Sequence, residues 1–399
     1  MFARYSASVS SLLAEIPFTG CCSTLCSKEL CGNLIDKGFS SLSLTLAMSK
    51  KSRNSFTKTH AGPPAQTRKK TVNSFLDVMQ DGNEYASLID VAPQGLNFRD
   101  EIRRSISEIE TVRNRPLLVY AANVINVPLG ASTEISYIDD LPFSEMVSSI
   151  PATADSIDII IVTPGGLAQQ VSQFVNRVRP RFNNVSMIVP YMAMSAGTIW
   201  ALSGNEIWMD QRAFLGPIDP QVPGKDGRFI PAQALLALLK EIQERGLANI
   251  KKGQNPDWSD ILILKNIDAK EIGNALSLSK YSVQLANDYL LNYKFRDWTD
   301  HSNGVTVTPQ ERSDRARAVA KKLCSHEHWK VHSHGISREV LWNELRIKIN
   351  HPENTPDFEK ALRRFWALLY WVFENTPLAK VFISSQYSLF KTTVQPTQK

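Results

Sequence analysis

The chain has no run of eighteen apolar residues, and so no obvious membrane-spanning helix. It has few cysteines, five in 399 residues, and only Cys324 lies beyond position 31. A secreted disulfide scaffold spreads its bridges through the core, so this body reads as reduced and cytoplasmic. No GxGxxG follows a strand-like run, which leaves a nicotinamide-dependent dehydrogenase without support. A global excess of positive charge is also missing. The net charge is +6, but residues 49–70 hold seven Lys/Arg and no acid, and taking those seven away leaves −1. A specific nucleic-acid binder is therefore not indicated.

What is present is ordinary globular composition, with 43% hydrophobic and 21% charged residues. The first 70 residues stand apart. Cys21, Cys22, Cys26 and Cys31 lack the paired spacing of a zinc knuckle, and no metal is expected there. Residues 1–47 read as a dispensable extension upstream of an alternative start at Met48, or as a targeting segment; with no tidy apolar stretch followed by a cleavage site, a secretory signal is not expected. Residues 49–70, basic and broken by Gly62-Pro63-Pro64, read as a disordered tail. The expected division is 1–70 as extension, 71–113 as a helical lead-in, 114–300 as an α/β core, 301–385 as a helical C-terminal part and 386–399 as a tail.

Within the core, periodicity supplies the elements. Ile102, Ile106, Ile109 and Val112 recur at helical spacing over 99–113. Residues 116–122 are a short apolar run. Residues 157–162, IDIIIV, are almost wholly β-branched, as expected for a strand buried on both faces. A helix follows TPGG at 163–166, with Val171, Phe174, Val175 and Val178 on one face and Pro180 ending it. Further strands are expected at 185–190 and 206–209, with helices at 141–150 and 195–202. The strand–helix–strand order predicts a parallel sheet with right-handed crossovers. Helices are then expected at 231–245, 260–276, 281–293, 310–323, 338–345 and 358–373. Trp342, Phe365, Trp366, Leu369, Tyr370 and Phe373 form a stripe of the kind that is usually core.

Two strand ends carry the chemistry. Gly165-Gly166 lets the backbone turn sharply and brings N–H groups toward a guest, with a helix N-terminus adding positive potential. A tight turn with no guest would use the same residues. Ser195, in MAMSAGT, sits on the turn into a helix beside small Ala196 and Gly197. It could be an N-cap and nothing more. Taken together, a hydroxyl and a pair of backbone donors on neighbouring strand ends point to acyl transfer.

The ordered segments RPLLVYAAN (115–123), DIIIVTPGG (158–166), PYMAMSAGTIWALSGNEIWMD (190–210), LGPIDPQ (215–221), KVHSHGIS (330–337) and ENTPLAKVF (374–382) resemble the serine dehydrogenase proteinase family, within the Clp-protease/crotonase superfamily. The resemblance spans about 114 to 385. It implies an α/β Clp/crotonase-like ββα superhelix with a helical C-terminal part, assembly into homo-oligomers, and serine-peptidase chemistry on a peptide or protein. It implies Ser195 as nucleophile and the Gly165 and Gly166 amides as oxyanion hole, with no cofactor. Membrane association stays open.

A serine needs a base. Clp-type relatives place a histidine about 25 residues after the serine, where this chain has Asp219. Peptidase relatives place a lysine about 40 residues on; Lys225 and Lys240, 30 and 45 residues on, do not match cleanly, though both are candidate bases, Lys225 in a Gly/Pro loop that could equally face solvent. Four of the seven histidines fall in HEHWKVHSH, at His326, His328, His332 and His334. They could be solvated, could hold zinc, or could bring His332 or His334 to the serine. Lys240, among leucines, could be desolvated or could snorkel, and Asp219, between prolines, could orient a base or fix a turn. The competing functions are a catalytically degenerate scaffold of the same fold and, last, acyl-thioester chemistry, for which no carboxylate adjoins either motif.

Overall fold

In the computed structural model, residues 74–89, 97–224 and 227–392 are described, so the expected extension, its cysteines and Lys225 lie outside the described residues. Helix α1, Phe98–Arg113, opens with Asn97 accepting from the Arg99 amide and closes on left-handed Asn114. It leads into β1, Leu117–Ala122, and then α2, Asp140–Ser148. The run SIDIIIV forms β2, Ser156–Val162, followed by α3, Ala168–Val178. Next come β3, Asn184–Val189, the short β4, Met192–Ala193, and α4, Ala196–Ala201. They are followed by β5, Glu206–Met209, and β6, Phe214–Leu215.

β1, β2, β3 and β5 are neighbours in that order, and all three pairings are parallel. β2 shows why the sheet is double-sided. Ile157, Ile159 and Ile161 enter the core beneath α2–α4, whereas Ile160 and Val162 enter the opposite core. After each parallel strand the chain also makes a second, shorter pairing before its helix. Ile135 bridges Gly166, Thr163 bridges Ala193, and β4 pairs with β6, all in parallel. Strand, short strand, helix is thus the repeating turn, and the expected ββα superhelix is what the backbone forms.

Beyond the core, β7, Gln221–Pro223, and β8, Phe229–Pro231, make a hairpin before α5, Ala232–Lys251. Where the periodicity suggests helices at 260–276 and 281–293, the chain instead forms α6, Trp258–Asn266, and a longer α7, Ala269–Tyr289. The break falls at Asp268, whose side chain accepts from the Lys270 amide and caps α7. α6 shows apolar side chains to solvent all along its length, with Trp258 74% exposed. Then follow α8, Pro309–Leu323, α9, His326–Trp329, β9, Ile336–Ser337, α10, Arg338–Leu345, and α11, Pro356–Asn375.

Of the aromatic stripe, Phe365, Trp366, Leu369 and Phe373 are buried and Trp342 is half exposed. The end of the chain differs from a purely helical part. Leu378–Ile383 and Ser388–Thr392 are strands, β10 and β11, and β10 lies antiparallel against β1 in the main sheet. With α1 and α11 packed together over that face, the sheet is covered on both sides.

Candidate active site

The double-glycine bend and Ser195 are in contact. A Cβ placed on Gly165 would lie 2.7 Å from the Ser195 Cβ and 2.9 Å from the Met194 carbonyl oxygen. Only glycine fits there, and its φ of +106° points the same way. The strand-end bridge explains the proximity. The Thr163 amide donates to Met192 O (3.0 Å) and the Met194 amide to Thr163 O (3.0 Å), so the end of β2 and the start of the serine turn are laced together.

The two glycine amides are not equivalent. The Gly165 N–H donates to Thr163 Oγ1 at 3.1 Å. The Gly165 carbonyl accepts from Ile135 N (2.7 Å), and Leu167 N donates to Ile135 O (2.9 Å). That alternation turns the intervening Gly166 N–H away from Ile135, and no described residue accepts it. Gly166 is exposed and α3 begins two residues later. The Ala196 N–H, at the start of α4, likewise has no partner among the described residues, and its nitrogen is 3.4 Å from the Cβ position of Gly165. The expected Gly165–Gly166 pair of donors is therefore reduced to Gly166. Ala196, which sequence reasoning passed over, supplies the other free amide. Thr163, also passed over, is what engages Gly165.

Ser195 has φ 50° and ψ −114°, outside the ordinary regions for a side-chain-bearing residue. Such a conformation costs about 1–3 kcal/mol and has to be held by its surroundings. Its hydroxyl makes no capping bond to α4, and the side chain is partly exposed. The plain N-cap explanation is not what the turn does. Behind it, the buried Thr198 hydroxyl accepts from Gly216 N (2.8 Å) and donates to Ala193 O or Gly216 O (2.8 and 2.9 Å). This fastens the segment after β6 to the serine helix.

That segment carries Asp219, which is fully buried. The adjacent Ile218 N donates to Leu323 O at 3.0 Å, tying the loop to the end of α8. From α8 the chain makes the single turn of α9, started by Ser325 accepting from His328 N, and reverses at Lys330, φ 68°. The reversal returns His332 to Asp219, with Nδ1 2.8 Å from Oδ1. His326 also faces this carboxylate, Nδ1 to Oδ2 at 3.4 Å.

Three residues thus leave one end of one small sheet. β4 and β6 run parallel and β9 runs antiparallel to β6. Ser195 follows β4, Asp219 follows β6 and His332 precedes β9, so all three emerge on the same side.

The other candidates go elsewhere. His334 is exposed and lies against the Trp329 ring, 5.3 Å between centroids. His328 pairs with Glu344 at 2.8 Å. The histidine run is therefore dispersed, and among the described residues no group of three or more His, Cys, Asp or Glu side chains is placed to hold a metal. Lys240 is 76% exposed and pairs with Glu244 at 3.8 Å, so the snorkelling alternative describes it and the desolvated one does not. Burial pushes the Cys324 thiol up to about 12, with the Asp219 charge adding to the effect. No helix among the described residues is long and apolar enough to cross a membrane.

The chain is similar to several known proteins. Residues 135–278 match the ClpP-like SDH-type serine proteinase family. The matched segment runs from Ile135 through both glycines and Ser195 to Asp219 and on into α7, and stops short of the histidines. Two uncharacterized proteins of Methanocaldococcus jannaschii are similar to the chain. One is 29% identical over 254 residues, 62% of this chain and 70% of its own length. The other is 28% identical over 210 residues, 51% and 68%. Among solved structures, a mutant of the 1510-N membrane-bound stomatin-specific protease is similar over 57% of this chain and 79% of its own, at 14% identity and a TM-score of 0.34. ClpP1 from Listeria monocytogenes is similar over 42% and 89%, at 16% identity and a TM-score of 0.22.

Proposed function

We propose that the chain is a serine peptidase in which Ser195 is the nucleophile, His332 the base and Asp219 the group that orients it. The observation that carries this reading is the 2.8 Å contact between His332 Nδ1 and buried Asp219. With Nδ1–H committed to the carboxylate, Nε2 keeps its lone pair for a substrate-side proton. Asp219 then stabilises the imidazolium that forms. The unpartnered N–H groups of Gly166 and Ala196 support an oxyanion hole made from those two amides rather than from both glycines. A peptide carbonyl placed between them is attacked by Ser195 Oγ as His332 takes its proton. His332 returns that proton to the leaving amine, and water repeats the sequence on the acyl-enzyme.

Labelling with a fluorophosphonate tests the reading. Wild-type protein is expected to label on Ser195. Ser195→Ala should not label at all, and His332→Ala should label at least about a hundredfold more slowly. Equal labelling of wild type and Ser195→Ala would remove the peptidase assignment and leave the non-catalytic scaffold.

A further inference from the structure

We propose that His326 is a positioning residue, a second imidazole that holds the outer oxygen of Asp219 so that one carboxylate steers two histidines. The inference rests on the reading of Asp219 and His332 given above and extends it to a residue outside the catalytic set.

Asp219 Oδ1 is engaged by His332, but Oδ2 is buried and receives no hydrogen bond. His326 Nδ1 is also buried and also without one. These two orphaned atoms face each other at 3.4 Å. A buried carboxylate oxygen or ring nitrogen left unpaired carries its full desolvation cost, and each is the nearest remedy for the other. The separation is slightly beyond the 2.7–3.2 Å usual for such a bond, and contacts of this kind tighten when a substrate is bound.

The need for a brace follows from the aspartate torsion. The terminal angle of an Asp side chain is broad and roughly two-fold. One partner on Oδ1 leaves the carboxylate free to swing. A second donor on Oδ2 fixes its plane, and with it the direction of His332 Nε2. The backbone supports the brace. Ser325 starts α9 and Trp329 Nε1 donates to Lys322 O at 2.8 Å, so His326 sits on an anchored turn. His326 also lines a cleft of about 540 Å³ between α5 and α9. The ionisable groups that face it there are Lys240 and Glu241 from α5 and Glu327 and Lys330 from its own turn, with Cys324 close to Asp219.

The experiment measures fluorophosphonate labelling rate against pH for full-length wild type, His326→Ala, His326→Asn and His332→Ala. The Asn amide nitrogen stands close to the position of Nδ1 and cannot titrate. His326→Ala is expected to label about tenfold more slowly across the profile, because a base turned off its line loses reach to the serine. His326→Asn is expected to recover to within about threefold of wild type, because its amide can donate to the same carboxylate oxygen. His326→Ala at the wild-type rate overturns the proposal. Should His326→Ala fail to fold, His326→Asn decides: recovery of the rate supports the brace, and a rate as low as that of His332→Ala overturns it. The two readings fail separately. Wild-type labelling of His332→Ala removes the base assignment, whereas its loss with an unaffected His326→Ala removes only the brace.

Discussion

At the scale of single residues, the site depends on atoms that are not there. A Cβ on Gly166 would fall 2.3 Å from Ile135 O and 2.5 Å from Ile135 N, in a backbone with φ +135°. Neither contact can be relieved by a side-chain rotation, since both are to backbone. Gly166→Ala is therefore expected to lose about 2–4 kcal/mol of stability in urea unfolding, and to label no faster than Ser195→Ala. A variant as stable as wild type would mean that the 135–166 bridge is not held as described. The TPGG and MAMSAGT segments were legible in the sequence because each is a local device, a bend that demands glycine and a turn that demands small neighbours. The proposed base, His332, was legible only as one of several candidates, and Asp219 only as a possible orienting group. Asp219 and His332 are 113 residues apart and belong to no shared pattern; only the pairing of β6 with β9 brings them together. Nor does anything in the letters reveal that Thr163 would occupy the Gly165 amide, which moves the second free donor to Ala196.

At the scale of elements, the bend is held in place by a strand from the far end of the chain. Lys380 on β10 is buried, and its Nζ donates to Glu134 O (2.6 Å) and Asp139 Oδ2 (2.7 Å). Tyr120 from β1 and Lys391 from β11 donate to the same carboxylate, at 3.0 and 3.1 Å. Glu134 precedes Ile135, the residue that pairs with the glycine bend, so β10 reaches the site through one carbonyl. Lys380→Met leaves that carbonyl and part of Asp139 uncompensated. A loss of about 3 kcal/mol is expected in urea unfolding, at the lower end for a broken buried pair because Lys391 remains. Lys380→Met with Asp139→Asn should lose less than Lys380→Met alone; an equal or larger loss would argue that the pair is not coupled. Sequence periodicity located most helices and strands of the core, since burial on both faces or on one stripe writes itself into spacing. β10 was hidden for a physical reason. LAKVFI carries a lysine in a strand interior, which reads as a surface feature until Asp139 is seen to receive it.

At the scale of the whole molecule, the arm of helices α5–α7 and the sheet are joined where α7 ends, and that junction carries a charge. Lys294, in the turn that closes α7, donates to Asn205 O at 3.3 Å near the start of β5. Burial pushes its ammonium down to about 8; nearby Glu206 opposes the shift and Lys348 adds to it. An unfolded chain returns the lysine to its ordinary value of 10.5. Between those values the unfolded state holds a proton that the folded state has released, so stability from this group rises as pH climbs through the window. Below about pH 8 both states are protonated, and burying the charge is a constant cost. The steepest contribution one proton can make is about 1.4 kcal/mol per pH unit. Lys294→Met should therefore be more stable than wild type at pH 7. Its advantage should shrink between pH 8 and 10, as wild type loses its half-buried charge and the variant has none to lose. Urea unfolding of both proteins at pH 7, 8.5 and 10 reads the difference directly. Parallel stability curves would show that Lys294 keeps its proton in the folded chain, and that the arm meets the sheet in a wetter setting than the junction at Asn205 requires.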